Sequence, residues 1–249
     1  MLLLSTSSLV GYWLHKIFLL AKEAGYAGID LCLSPDDFDG HNSEYIKLLE
    51  QITGIEVRSI TAYERKMNED MVDETLKLAS NLGIRIVNFF PPHRTDKNKS
   101  WFWEYIADAQ KKYPDISLAI INPPPKTFLF IISEYGDARP ELIKKITGNT
   151  ALDISNVDPS SGVDLMKTFT LMGNSIKHIY LSDKKDDKEK VFPGEGDMPL
   201  ESLLIKLKEL GYEWLFSLRI SPKELEAGDD EQVVERLREG YDYFKKYFI

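Results

Sequence analysis

The side chains of this chain that can move a proton or hold an anion stand where short apolar runs end. Glu64 follows EVRSITAY, His93 and Arg94 follow RIVNFFPP, Asp153 closes TALD, Asp183 and Lys184 follow HIYLS, and Arg219 closes WLFSLR. Glu64 is a general base if burial raises its pKa, and an ordinary loop glutamate otherwise. His93 is an acid, a base or an anion contact, or else a loop residue. Arg94 beside it binds an anion or stays solvated, and the planar fork of Arg219 suits a carboxylate or a phosphate. Asp183 orients Lys184 or a substrate hydroxyl, or it caps the turn after its strand. Cys32 is the only cysteine; it has no evident histidine partner, and it allows neither an intramolecular disulfide nor a cysteine-built zinc site. Gly194 and Gly196 in PGEG give a tight turn and are wrongly spaced for a phosphate loop.

The elements that must position these groups alternate along the chain. Strands are expected at Leu2 to Ser5, Gly28 to Leu33, Glu56 to Ala62, Arg85 to Phe90, Ser117 to Ile121, Thr150 to Ile154, His178 to Leu181 and Trp214 to Arg219. Helix-period segments lie between them, which is the pattern of βα units around a parallel sheet. Trp13, Ile17, Leu20, Ala21 and Ala24 form one helical stripe, Met71, Thr75, Leu78, Ala79 and Leu82 another, and Val234, Leu237, Tyr241, Phe244 and Phe248 a third. Gly25 and Gly83 stand where C-terminal caps are expected. The strand count fits a single (β/α)8 TIM barrel over residues 1–249, whose active site lies where the strands end. An open dinucleotide-binding sheet is disfavoured because LLLSTSSLVGYW contains no G-x-G-x-x-G. Two segments depart from the βα rhythm. Pro123, Pro124 and Pro125 stiffen the exit from the fifth strand, and Lys184 to Lys190 reads as a solvated charged loop or a lid over a ligand.

The length of 249 residues, with 43% hydrophobic and 29% charged side chains, suits one large core. No run reaches the roughly 20 apolar residues of a membrane span, and the opening MLLLSTSS lacks the basic start and long apolar core of a signal peptide. The expected location is therefore cytoplasmic, with no membrane partner. A formal net charge of -9 opposes a general affinity for nucleic acid.

HIYLSDKK, His178 to Lys185, followed by FPGEGDMPLESLLIKLKELGYEWLFSLRIS, Phe192 to Ser221, resembles the closing βαβ unit of the xylose-isomerase-like sugar phosphate isomerase/epimerase family. EAGYAGIDL, Glu23 to Leu31, is similar to the family's second strand, EVRSITAYE, Glu56 to Glu64, to its third, and ALDISN, Ala151 to Asn156, to its sixth. The resemblance implies a metal site of glutamate, aspartate, histidine and glutamate from successive late strands. It places Ile121, Asp153, Tyr180 and Arg219 at those positions, with Asn122 in place of Ile121 if the fifth strand slides by one residue. A divalent ion needs several converging oxygen or imidazole ligands, so the expectation is a barrel with no metal and no other cofactor. Asn156 stands where endonuclease-like members carry a further histidine.

Strand alternation puts Leu215, Ser217 and Arg219 on one face, which the resemblance makes the barrel interior. A guanidinium there cannot stay unpaired, and Asp153 is its natural partner, either in a closed ion pair or beside a bound anion. His178 shares the parity of Tyr180 and reads as a satisfied core histidine. The resemblance implies proton transfer next to a carbonyl, with Asp153 or Glu64 as base and Arg219 stabilising the oxyanion. Candidate contacts to a small polar or anionic metabolite, such as a sugar phosphate, are His93, Arg94, Tyr180, Asp183, Lys184 and Asn122. The competing expectations are a non-catalytic binding or scaffold protein on the same barrel and, third, a metal-dependent apurinic endonuclease. A homo-oligomer is compatible with all three.

Overall fold

Each barrel strand is a short run buried on both faces, which explains why the pattern reads as continuous apolar stretches rather than alternation. The computed structural model describes residues 1–35, 37–96, 100–128, 132–136, 138–158 and 164–249. Eight parallel strands close into a barrel: β1 Leu2–Ser5, β2 Ile29–Cys32, β3 Val57–Thr61, β4 Ile86–Phe89, β5 Ser117–Ile121, β6 Thr150–Asp153, β7 Ile176–Leu181 and β8 Leu215–Leu218. Sequence neighbours pair, and β8 closes on β1 with Leu3 beside Ser217. The helices are α1 Leu14–Glu23, α2 Ser43–Thr53, α3 Glu69–Leu82, α4 Trp101–Lys112, α5 Pro140–Thr147, α6 Leu165–Met172, α7 Leu200–Glu209 and α8 Asp230–Phe248. This is the expected (β/α)8 architecture, and every expected strand is present within two residues of its expected ends.

The helices start and stop where side-chain chemistry satisfies their free backbone groups. Asn42, Asn68, Asp164 and Asp229 accept from N–H groups in the first turns of α2, α3, α6 and α8. Gly83 ends α3 in the left-handed region. One stripe differs from its expectation. Trp13 precedes α1 and is 73% exposed, while Leu14, Ile17, Phe18, Leu20 and Ala21 are buried. The backbone at Trp13 is still extended, so its side chain is not carried onto the buried stripe of the helix.

The main core lies between the strands' outer faces and the helices. A second, smaller cluster of Phe90, Ala119, Ile121, Ala151 and Tyr180 fills part of the barrel interior. Its membership fixes the register of β5: Ile121 points inward and Asn122 does not. The run after β7 is not an irregular loop, since Asp183–Lys185 and Lys188–Val191 form an antiparallel hairpin.

Candidate active site

The interior of the barrel is polar along much of its length, because inward positions of several strands carry hydroxyl, amide, imidazole and carboxylate groups. At its centre the Asp30 carboxylate is wholly buried. It accepts from Ser5 Oγ at 2.9 Å, Ser59 Oγ at 2.7 Å and Thr61 Oγ1 at 3.0 Å, with Cys32 Sγ at 3.4 Å. The single hydroxyl proton of Thr61 is thereby used, so Tyr180 must be the donor in its 2.5 Å bond to Thr61. The result is a directed line from Tyr180 through Thr61 to Asp30. Lower in the barrel, Asn88 Nδ2 donates to His178 Nδ1 at 2.8 Å, which leaves the imidazole proton on Nε2 to donate to Ser217 Oγ at 2.6 Å. Burial, reinforced by Arg219, lowers the His178 pKa to about 4 despite Asp30 and Asp153. His178 is therefore a neutral, satisfied core residue.

Above this layer lies Arg219. Its guanidinium stacks over the ring of Tyr180 at 4.7 Å and near that of Phe90 at 5.3 Å. Nη1 reaches Asp153 Oδ2 at 3.4 Å, with Arg219 5% and Asp153 1% exposed. Burial alone would lower the Arg219 pKa; Asp153, followed by Cys32, Tyr180 and Asp30, holds it above its ordinary value. The expected convergence of Arg219 and Asp153 is present. The pairing is incomplete from the arginine's side, since its buried Nε has no hydrogen-bond partner among the described residues. Asp153 is better served, because its Oδ1 accepts from the Ser155 N–H at 3.2 Å and hydroxyl at 2.8 Å.

Several expected contacts are held by the protein itself. Asn122 Oδ1 accepts from the Asp153 N–H at 2.7 Å and its Nδ2 donates to the Asp153 carbonyl at 3.0 Å. The side chain thus acts as an extension of the β5–β6 pairing and positions Asp153, and it also lines a cavity of about 540 Å³ with Arg94 and Asn156. Tyr180 has no exposed surface beneath Arg219. His93 is buried, with Nδ1 on Thr95 at 2.7 Å, Nε2 on Glu134 at 3.2 Å and its ring edge against Tyr135. Arg94 Nε donates to the Ser133 carbonyl at 2.9 Å. Both residues stitch the segment after β4 to the segment after β5.

Asp183 takes the turn-capping role of its two readings. Its Oδ1 accepts from the N–H groups of Lys184 at 2.8 Å and Met198 at 3.0 Å, and its Oδ2 from Gly194 at 3.0 Å. A side chain at residue 196 would overlap this carboxylate and the Lys184 carbonyl, so the clasp requires Gly196. Lys184 points to the Val157 carbonyl at 3.5 Å.

A cavity of about 790 Å³ opens at the mouth beside β1, β2 and β8. Arg219, Glu64, Cys32, Lys190 and the exposed Trp13 line it. Glu64 is exposed and accepts from Tyr135 at 3.3 Å. Lys190 was not distinguishable in the sequence, since it ends a run of alternating charges, and only the apolar Val191 and Phe192 after it hint that the hairpin turns inward. The web around Asp30 was also missed; strand parity of Ser5, Asp30, Ser59 and Thr61 is the signal that could have found it. A further cavity of about 860 Å³ opens at the opposite end, near Met1 and Trp214, and has neither Arg219 nor Asp153 in its walls. No helix among the described residues is long and apolar enough to cross a membrane.

Comparison with known proteins agrees with the architecture. No curated protein matches the sequence. A xylose isomerase domain-containing protein from Salmonella typhimurium superposes with a TM-score of 0.74 at 15% identity, covering 98% of this chain and 97% of that one. D-allulose 3-epimerase from Methylomonas, solved with D-allulose, gives 0.72 at 12% identity over 99% of this chain and 96% of its own. A xylose isomerase domain protein from Alicyclobacillus acidocaldarius gives 0.70 at 14% identity over 100% and 98%. The profile of the xylose isomerase-like TIM barrel matches residues 18–247. With that match spanning nearly the whole barrel, the chain belongs to the xylose isomerase-like TIM barrel family.

Proposed function

We propose that the mouth of this barrel binds a small anionic carbonyl compound of the sugar phosphate or sugar acid class, and that it acts as an isomerase or epimerase without a divalent metal. The observation that carries the reading is Arg219: a buried guanidinium on the cavity wall, held by one long bond to Asp153 and with its Nε unsatisfied. A buried donor without a partner costs about 1–3 kcal/mol, more when charged. A carboxylate or phosphate in the cavity would supply the missing acceptor in the bidentate geometry that arginine favours. Sugars enter as the substrate class through the relatives, among them the epimerase solved with D-allulose.

The family's metal does not fit these residues. Ile121 and Tyr180 offer no carboxylate or imidazole, Arg219 puts a cation beside Asp153, and Asp30 is occupied by hydroxyl donors. Among the described residues no group of three histidine, cysteine or acidic side chains converges. The chemistry is therefore assigned to side chains. Arg219 stabilises negative charge developing on a carbonyl oxygen, and Glu64, although exposed and not buried as a tuned base would be, is the glutamate placed beside Arg219 on the cavity wall to accept the neighbouring proton.

Thermal denaturation with D-ribulose 5-phosphate, inorganic phosphate and neutral D-ribulose tests this. Ligand at about 100 times its Kd stabilises by about 2.7 kcal/mol, so the phosphates should raise the melting temperature and the neutral sugar should do so much less. Arg219→Leu should lose the response. An equal response to phosphate and neutral sugar, or none to either, would defeat the anion reading. The closed stack of Arg219, Asp153 and Tyr180 favours a second reading, a binding or scaffold protein without turnover; binding with no solvent-deuterium exchange into the sugar would select it.

A further inference from the structure

Among the described residues Lys190 is the one lysine that lines the mouth cavity, together with Arg219 and Glu64. It is half-buried, and its ammonium has neither an ion pair nor a hydrogen bond among the described residues. Its placement is built rather than incidental. The residue adopts a left-handed backbone with φ of 57°, uncommon for a side chain of this size. Its carbonyl accepts from the Ser221 N–H at 2.8 Å, which ties the hairpin to the chain just beyond Arg219. The next residue, Val191, pairs with Asp183, whose carboxylate clasps three backbone N–H groups of the same loop. A solvated lysine needs none of these constraints.

We infer that Lys190 is a nucleophilic amine that forms a Schiff base with the open-chain carbonyl of an anionic sugar seated against Arg219. The inference rests on the anion site proposed above and adds the covalent step. A lysine amine reacts only when neutral, and desolvation beside a second fixed cation favours that form. Burial is the main cause that lowers the Lys190 pKa, and Arg219 adds to it against Asp153, Glu64 and Cys32. In the step, the amine nitrogen bonds to the carbonyl carbon, and the carbonyl oxygen takes up protons and leaves as water. The iminium then draws the electron pair of the neighbouring C–H bond while Glu64 takes that proton, giving an enamine. Return of a proton and addition of water regenerate carbonyl and amine, so no oxidant or reductant is consumed. The iminium thus takes the electron pair in place of an oxyanion, and Arg219 is left to hold the anionic group of the sugar.

Trapping with sodium cyanoborohydride in the presence of dihydroxyacetone phosphate or D-ribulose 5-phosphate tests the step on the whole protein. Peptide mass spectrometry should place the reduced adduct on Lys190 in preference to the exposed Lys185 and Lys188, since desolvation favours the neutral, reactive amine. Mapping in the parent needs no variant; Lys190→Arg should in addition abolish this preferred adduct. Equal labelling of Lys190, Lys185 and Lys188 overturns the inference. So does an absence of adduct while calorimetry still shows probe binding that Arg219→Leu removes, and that outcome leaves the anion site standing. Neither adduct nor binding overturns both.

Discussion

Asp153→Asn keeps the shape of its side chain and an acceptor for Ser155 while removing the charge opposite Arg219. The guanidinium then sits 5% exposed with its direct counter-charge gone. Stranding one member of a buried pair costs about 3–5 kcal/mol. The 3.4 Å contact is longer than a strong charge-assisted bond, and Asp30 also favours the charged arginine, so the lower end, about 3 kcal/mol, is expected. For a chain of this length each kcal/mol moves the melting temperature by roughly 2–4 °C, giving a fall of roughly 6–12 °C. Arg219→Leu should behave differently. Arg219→Leu strands Asp153 in its turn, but its Oδ1 retains both donors from Ser155 and a leucine can pack on Tyr180 and Phe90, so the loss should be smaller than in Asp153→Asn. Calorimetry in phosphate-free buffer on both variants and the double variant measures this, and added phosphate should restore more stability to Asp153→Asn than to the parent. A fall below about 2 °C in Asp153→Asn, or a larger loss in Arg219→Leu, would refute the claim that the guanidinium is desolvated and held chiefly by Asp153.

His178 gives a pH test: its pKa is lowered from 6.5 to about 4 in the folded protein, so stability is unaffected above 6.5 and falls as pH drops through that window, by about 3 kcal/mol in all. His178→Gln should lose this part of the slope in melting curves between pH 7.5 and 4; an unchanged slope would mean the imidazole protonates freely. Gly196→Ala forces a Cβ onto the Asp183 carboxylate and should lower stability by about 2 kcal/mol or more while exposing the hairpin to limited proteolysis; an unchanged cleavage rate would show the clasp to be dispensable. Elemental analysis of the purified protein should find no stoichiometric divalent ion, and manganese, cobalt or zinc should leave the melting temperature unchanged. Tight binding at one site that Asp153→Ala abolishes would show that Asp153 is a ligand after all.

The barrel was legible because every strand is a buried run bounded by turn residues, and Ser117 to Ile121 was readable to the residue. Arg219 and Asp153 were legible as neighbours through the family resemblance, which put both at the same end of the interior, while strand parity set Arg219 on one face with Leu215 and Ser217. Asn122 was legible as a position but not in its role, and Asp183 was left between capping and ligand contact, because a carboxylate or amide that caps backbone groups has the same sequence signature as one that meets a ligand. Trp13 misled because hydrophobic spacing continues across the turn preceding α1, although the backbone there is extended. Lys190 was hidden for a different reason: in KKDDKEK no lysine differs from the next until a hairpin selects which one faces inward.

A positive charge carried on Arg219 is part of the covalent chain. It cannot be stripped by a chelator, exchanged for a competing ion or oxidised, and it is present in every molecule as soon as the barrel closes. It is also directional, since a guanidinium that stacks on Tyr180 donates only in its own plane. An ion accepts ligands from many directions and at several distances, whereas this group admits an oxygen along a narrow set of lines.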